Sequence, residues 1–238
     1  MFRSLTLLTL VPLLSFCIRA EAPLGVGRIL IADKELHDPH FERTVILLIS
    51  YDEDEGAGGL ILTRPTDTPV SRALHDFKEA QDNVDPVYEG GPVATRSVLA
   101  VLRSKADLED AERVLPEVYT VENNRLLRKA LKDKMVVRVF AGYAGWGPGQ
   151  LEDEVDEGAW HVERASADVI FDENPENLWH RLTRRLDSQI ARAKVEYKNA
   201  FRFAPRSGSV SPHRLVRQDC SAGRNLQNSR FASRNGKS

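Results

Sequence analysis

Six histidines, two cysteines and 35 carboxylates are the groups through which this 238-residue chain could do chemistry. Their spacing excludes most of it. Cys17 lies near the N-terminus and Cys220 near the C-terminus, so the segment between them has no thiol for a disulfide, a zinc–thiolate centre or a cysteine nucleophile. His37, His40, His75, His161, His180 and His213 form no HExxH pair, and only His37 and His40 are close, flanking Asp38-Pro39 in a turn. Neither a GxSxG nucleophile elbow nor a GxxxxGK[ST] phosphate loop occurs. Asp52 and Asp54 could begin a calcium loop, but Gly56 and Thr63 stand where further oxygen ligands belong, which leaves a solvated turn. No metal ligand set, no cofactor and no catalytic residue is therefore assigned.

One segment keeps a functional reading. Gly142-Tyr-Ala-Gly-Trp-Gly-Pro-Gly149 follows an apolar strand and runs into a helix, a layout that can present backbone N–H groups to a phosphate. Its glycines do not make GxGxxG, however, and the helix opens Gln150-Leu-Glu152-Asp153-Glu154. Those carboxylates already complement the positive helix end, so a phosphate would sit beside like charge. Three readings remain: a tight packing turn that buries Tyr143 or Trp146, a polar ligand or partner site using Gln150 and Glu152, or anion binding at the helix end against that like charge.

The elements that must position these residues alternate in type. Runs 27–34 and 41–51 are β-rich and separated by a turn around Asp38-Pro39; the acidic turn and Leu60–Thr63 follow as a hairpin closed by Arg64-Pro65. Thr68 as cap, Pro69 at the first position and Val70, Ala73, Leu74 and Phe77 at helical spacing predict a helix over 69–80. Short strands are expected at 87–89, 98–102, 114–121, 160–163 and 169–171. Helices are expected at 124–134, 150–157 and 175–186. Met135–Ala141 (MVVRVFA) has the near-continuous apolar pattern of a strand buried on both faces. The fold class expected is mixed α+β, a single domain over 23–187.

Both ends differ from this body. Residues 1–22 have a basic start at Arg3, an apolar run from Leu5 to Cys17 and the small-residue exit Ala20-Glu21-Ala22, the pattern of a secretory signal cleaved after Ala20 or Ala22. The run falls short of the roughly 20 residues of a spanning helix, so no transmembrane segment is expected in the mature chain and the location expected is extracytoplasmic. Residues 188–238 carry 11 Lys/Arg against 2 Asp/Glu, whereas 23–187 carry 20 against 32. The tail, basic and poor in apolar residues, is expected to be disordered. The acidic body repels phosphate backbones, which makes nucleic acid an improbable partner; no other partner is named by the residues.

The run from Gly142 to Glu154 resembles the signature of the AlgH/YqgE family of small bacterial proteins. Asp38-Pro39-His40-Phe41, Gly59–Pro65, Gly90-Gly91-Pro92 and Trp160 agree with it in order and spacing. The resemblance covers about 27–186 and implies an α+β fold with a bifurcated, partly barrel-like sheet flanked by three or four helices. It carries no established catalytic residues; family members are usually cytosolic, and some are described as transcriptional regulators. Three departures stand out: Thr63 where Asn usually precedes Arg-Pro, the export signal and the basic tail. The function expected is a non-enzymatic binding or accessory domain outside the cytoplasm, with Arg64, Tyr143, Trp146, Gln150 and Glu152 as contacts if their loops converge. The alternatives are a cytosolic regulator, or a hydrolase or transferase using Glu152 or Glu154 as general base.

Overall fold

Long apolar runs and glycine-rich crossings set the architecture. The computed structural model describes residues 23–202, with side chains through residue 198; the expected signal segment lies outside them, as does the tail beyond residue 202. Strands β1 (Arg28–Ala32), β2 (Val45–Asp52) and β3 (Gly56–Ile61) form an antiparallel meander. Ile29-Leu30-Ile31-Ala32 is buried throughout, because the sheet is covered on both faces here. The β2–β3 turn is closed by Asp52, whose carboxylate accepts the Asp54 and Glu55 N–H groups at 2.8 and 3.0 Å.

The helix expected over 69–80 is corrected to three short pieces. Pro65–Pro69 is a strand, β4, laid against β5 (Pro86–Glu89); α1 spans only Val70–Ala73, and a single 3-10 turn follows at Lys78–Ala80. Phe77 is extended between them. The Arg128 guanidinium sits 3.7 Å from its ring centroid and bonds Asp76 O and Glu79 on either side. That tertiary grip outweighs local helix spacing and still delivers Val70, Leu74, Phe77 and Ala80 to one apolar cluster.

Strand β6 (Val93–Arg103) runs further than its apolar residues imply. The strand expected over 114–121 is a hairpin, β7 (Glu112–Leu115) and β8 (Val118–Val121), turning at Glu117 with φ 67°. Helix α2 (Asn124–Lys132) starts where Asn123 accepts the Arg125 N–H at 2.8 Å. Strand β9 (Val136–Trp146) is followed by α3 (Gln150–Asp156), β10 (Trp160–Arg164) and α4 (Ala167–Ile170). That last element replaces the strand expected at 169–171, because Ser166 caps a helical turn there and accepts the Val169 N–H.

The sheet order is β10-β1-β2-β3-β9-β6-β8-β7, with β5 joining β9 and β4 joining β5. Strand β9 is therefore the fork. Its first half pairs β6 on one side and, in parallel, β5 on the other; its second half exchanges β5 for β3. The exchange occurs at Gly142, φ +72°, where a Cβ would lie 2.6 Å from Gly91 O. The glycine-rich segment expected as a loop is thus mostly strand, and its glycines permit the backbones of Gly90-Gly91 and Gly142-Tyr143 to touch. The architecture is a mixed α+β fold with a bifurcated sheet, as the resemblance implied.

Helix α5 (Leu178–Arg202) buries Leu178, Trp179 and Leu182, and Trp179 Nε1 donates to Ala32 O at 2.8 Å. It continues past the expected end at Leu186 and through the first part of the stretch expected to be disordered, so that boundary is corrected to helix as far as Arg202. Beyond Ser188 the helical turns form a separate unit. No helix among the described residues is long and apolar enough to cross a membrane.

Candidate functional site

The motif loops do converge, and an aromatic cluster joins them. Asp38 O accepts the Phe41 N–H at 3.0 Å, and the Asp38 carboxylate accepts the His40 N–H at 2.7 Å. This turn sets Phe41 nearly parallel to Trp146, with centroids 5.9 Å apart, and edge-on to Trp160 at 5.8 Å. Trp146 and Trp160 meet at 82° and 6.1 Å, the edge-to-face geometry favoured by ring quadrupoles.

Both indoles must place an N–H while nearly fully buried, at 5% and 1% exposure. Helix α3 supplies the acceptor. Glu154 Oε2 takes Trp146 Nε1 at 2.9 Å and Trp160 Nε1 at 2.8 Å, and Oε1 takes Gln150 Nε2 at 2.9 Å. Gln150 Oε1 in turn accepts the Gly147 N–H at 3.1 Å, closing the turn before α3. Trp146, Gln150, Glu154 and Trp160 are thus one hydrogen-bonded clamp.

The remaining candidates have separate duties. Arg64 donates from Nη1 to Glu89 Oε1 and from Nη2 to Pro39 O, both at 3.2 Å, tying the end of β5 to the Asp38 turn. Glu152 accepts the Tyr51 hydroxyl at 2.6 Å. Burial, followed by the bond to Glu152 and its charge, pushes Tyr51 up to about 12. Tyr143 lies on β9 opposite Val93, its ring edge over Gly145. It is three positions before Trp146 and so faces the other side of the strand.

Trp146, Gln150 and Glu152 therefore meet around α3, Arg64 reaches them through the Asp38–Phe41 turn, and Tyr143 stands apart. The general-base alternative finds Glu154 holding three donors and Glu152 holding a phenol. What these groups do chemically is fix the register of β9, α3 and β10. Of the readings left open for the segment, the packing turn fits Trp146, whereas Tyr143 is only half-buried.

Sequence reasoning missed a second locale. Arg138 is the only charged residue in Met135–Ala141 and is 8% exposed on β9. A lone cation inside a strand whose neighbours are apolar was the available signal. Its Nη2 donates to Asp172 O, and its guanidinium lies 4.7 Å from the Tyr88 ring centroid.

A bifurcated α+β sheet whose shared strand ends in a Trp-Gly-Pro-Gly turn and an indole–carboxylate clamp defines the class. A family model described as AlgH-like matches residues 29–191, and the chain belongs to that family. It is 41% identical over 174 residues to a UPF0301 protein of Streptomyces avermitilis, covering 69% of this chain and 88% of that one. A UPF0301 protein of Chlorobium chlorochromatii is 37% identical over 166 residues, covering 68% and 86%. Among solved structures, a Corynebacterium diphtheriae protein superposes with TM-score 0.61 at 25% identity, covering 71% of this chain and 91% of that one. The solution structure of the AlgH protein from Pseudomonas aeruginosa gives 0.55 at 27% identity, covering 80% and 100%.

Proposed function

We propose that this protein is a non-enzymatic binding or accessory domain that works outside the cytoplasm. One observation carries the first half of the reading: the polar side chains of the signature are engaged with one another, Glu154 by three N–H donors and Glu152 by Tyr51. A general base needs a free lone pair within reach of a substrate proton; three of Glu154's roughly four acceptor sites are occupied by scaffold donors, and Glu152 is held in place by Tyr51. The second half rests on the N-terminal pattern of basic start, apolar run and small-residue exit. The net charge of residues 23–187 speaks against direct promoter binding in either compartment.

The test is the intact mass of the native protein from separated cytosolic and extracytoplasmic fractions. A form starting near Glu21 or Pro23, found only outside the cytoplasm, is the expected result. A full-length chain confined to the cytosol would overturn the reading and restore a cytosolic regulator as the better one.

A further inference from the structure

The groove beside Arg138 is built differently from the rest of the surface. It has a volume of about 680 Å³ and lies where β5 begins, β9 enters the sheet and the chain passes from α4 to α5. That is the size range of small-molecule sites. Its walls combine apolar surface, from Pro65, Phe171, Pro175 and Val137, with polar surface of similar extent. Arg138 lines it while more than nine-tenths buried, and its Nη1 is a buried donor with no hydrogen-bond partner among the described residues. An unpaired buried charged donor is expensive. Tyr88, itself 6% exposed, borders the groove with no partner for its hydroxyl among the described residues.

The rim has the opposite charge. Asp172 is occupied by Arg181 at 2.6 Å, but Asp85, Glu173 and Glu176 line the groove with carboxylates that no described cation pairs. A simple anion such as phosphate would satisfy Arg138 and meet these carboxylates unfavourably. A simple cation would satisfy the rim and leave Nη1 orphaned. A ligand with an acceptor oxygen at one end, a cationic group at the other and an apolar body between satisfies every wall at once.

We propose that this groove binds a small zwitterion of amino-acid chemistry, a free amino acid or the terminus of a short peptide with an apolar side chain. The carboxylate or carbonyl is received by the Tyr88 hydroxyl and by the Arg138 guanidinium, whose covered Nη1 must turn toward the groove to meet it, and the ammonium by the Asp85, Glu173 and Glu176 rim. Burial holds the Arg138 guanidinium below its usual range, offset in part by Tyr88 and Asp172, and an incoming carboxylate adds to that compensation. The proposal rests on the reading of the protein as a binding domain and names its ligand class.

The experiment is titration of the purified chain from residue 21 onward, followed by amide NMR. The probes are phenylalanine, phenylalanyl-alanine, N-acetylphenylalanine and phenethylamine. Saturable shifts in the amides of 135–138, 171–174 and 176 with the first two are expected, with affinity reduced about tenfold or more for the two probes lacking one charge. Arg138→Lys tests the donor. Because a buried substitution can unfold the chain, the exposed pair Glu173→Gln with Glu176→Gln provides the second arm. It should weaken phenylalanine binding and, by removing like charge, leave N-acetylphenylalanine binding no weaker. Phenylalanine and the dipeptide compared directly distinguish the free amino acid from the peptide terminus. No saturable shift up to about 10 mM, well above any specific affinity of this kind, would overturn the proposal, as would binding indifferent to both sets of variants. Hydrolysis of the dipeptide in the NMR tube would support occupancy of the groove while overturning the non-enzymatic reading, so the two failures are separable.

Discussion

Removing the Glu154 side chain should cost more than truncating any other polar side chain on α3, because it strands two donors at once. In Glu154→Ala, the Nε1–H groups of Trp146 and Trp160 lose the oxygen that holds them at 2.9 and 2.8 Å. Both rings are almost wholly buried, and a buried donor left unpaired costs about 1–3 kcal/mol. Glu154 itself is only half-buried, so water can replace part of what is lost, which brings the expected destabilisation to about 2–4 kcal/mol. For a domain of this size that lowers Tm by about 5–15 °C.

Glu154→Gln keeps the shape and should cost less, about 1–2 kcal/mol. If the amide oxygen faces the indoles, its NH2 opposes Gln150 Nε2, and Gln150 cannot rotate without releasing the Gly147 N–H. Urea unfolding followed by tryptophan fluorescence and circular dichroism reads both variants against Asp156→Ala, an exposed carboxylate on the same helix with no side-chain partner among the described residues. If Glu154→Ala unfolds within about 0.5 kcal/mol of that control, the clamp is not what holds the signature together, and the argument that its carboxylates are spent on structure fails with it.

Two further outcomes follow from the same geometry. Tyr51 has a folded pKa above its unfolded one, so its bond to Glu152 stabilises fully below pH 10 and is lost as pH rises from there through about 12; with solvent screening this is worth about 1 kcal/mol. Tyr51→Phe should therefore lower stability at pH 8 and flatten its decline over that alkaline window, and an unchanged decline would refute the assignment. In Gly90→Ala the new Cβ would sit 2.1 Å from Gly142 O, a backbone atom that cannot swing away, at a cost of about 3 kcal/mol or more. Gly149→Ala meets nothing within 4 Å and suffers only its φ of +76°, about 1 kcal/mol; equal unfolding midpoints for the two would contradict the crossing described at the fork.

How much was legible depended on whether a residue's partners lie nearby in sequence. The helix at Asn124 was readable because its cap and apolar face are local, as was the strand through Met135–Ala141. The helix expected over 69–80 failed because Arg128, some fifty residues away, holds Phe77 extended. The glycines of 142–149 suggested a loop because sequence alone does not reveal that a second backbone, at Gly90-Gly91, needs their space. Trp146, Gln150 and Glu152 were singled out from the motif, yet their neighbours Trp160 and Tyr51 decide what they touch. The segment of α5 past Leu186 was missed for a simpler reason: its exposed face carries little apolar signal, with Ile190 and Val195 both exposed.

The groove and the fork are consequences of one feature. Strand β5 first pairs β9 at Val87 against Val139, so Val136–Arg138 have β6 on one side and no strand on the other among the described residues. A parallel partner that starts three residues late leaves an opening at the base of the branch, and Arg138 is the last side chain before it closes. Tyr88 stands on the β5 wall of the same opening, and the chain between α4 and α5 roofs it with Phe171, Glu173 and Glu176. An apolar residue at position 138 would fill such a gap at lower cost than a guanidinium with an unpaired donor. The proposed ligand would complete that donor, which would place recognition in this protein at the base of the fork while the signature at its far end holds the branches in place.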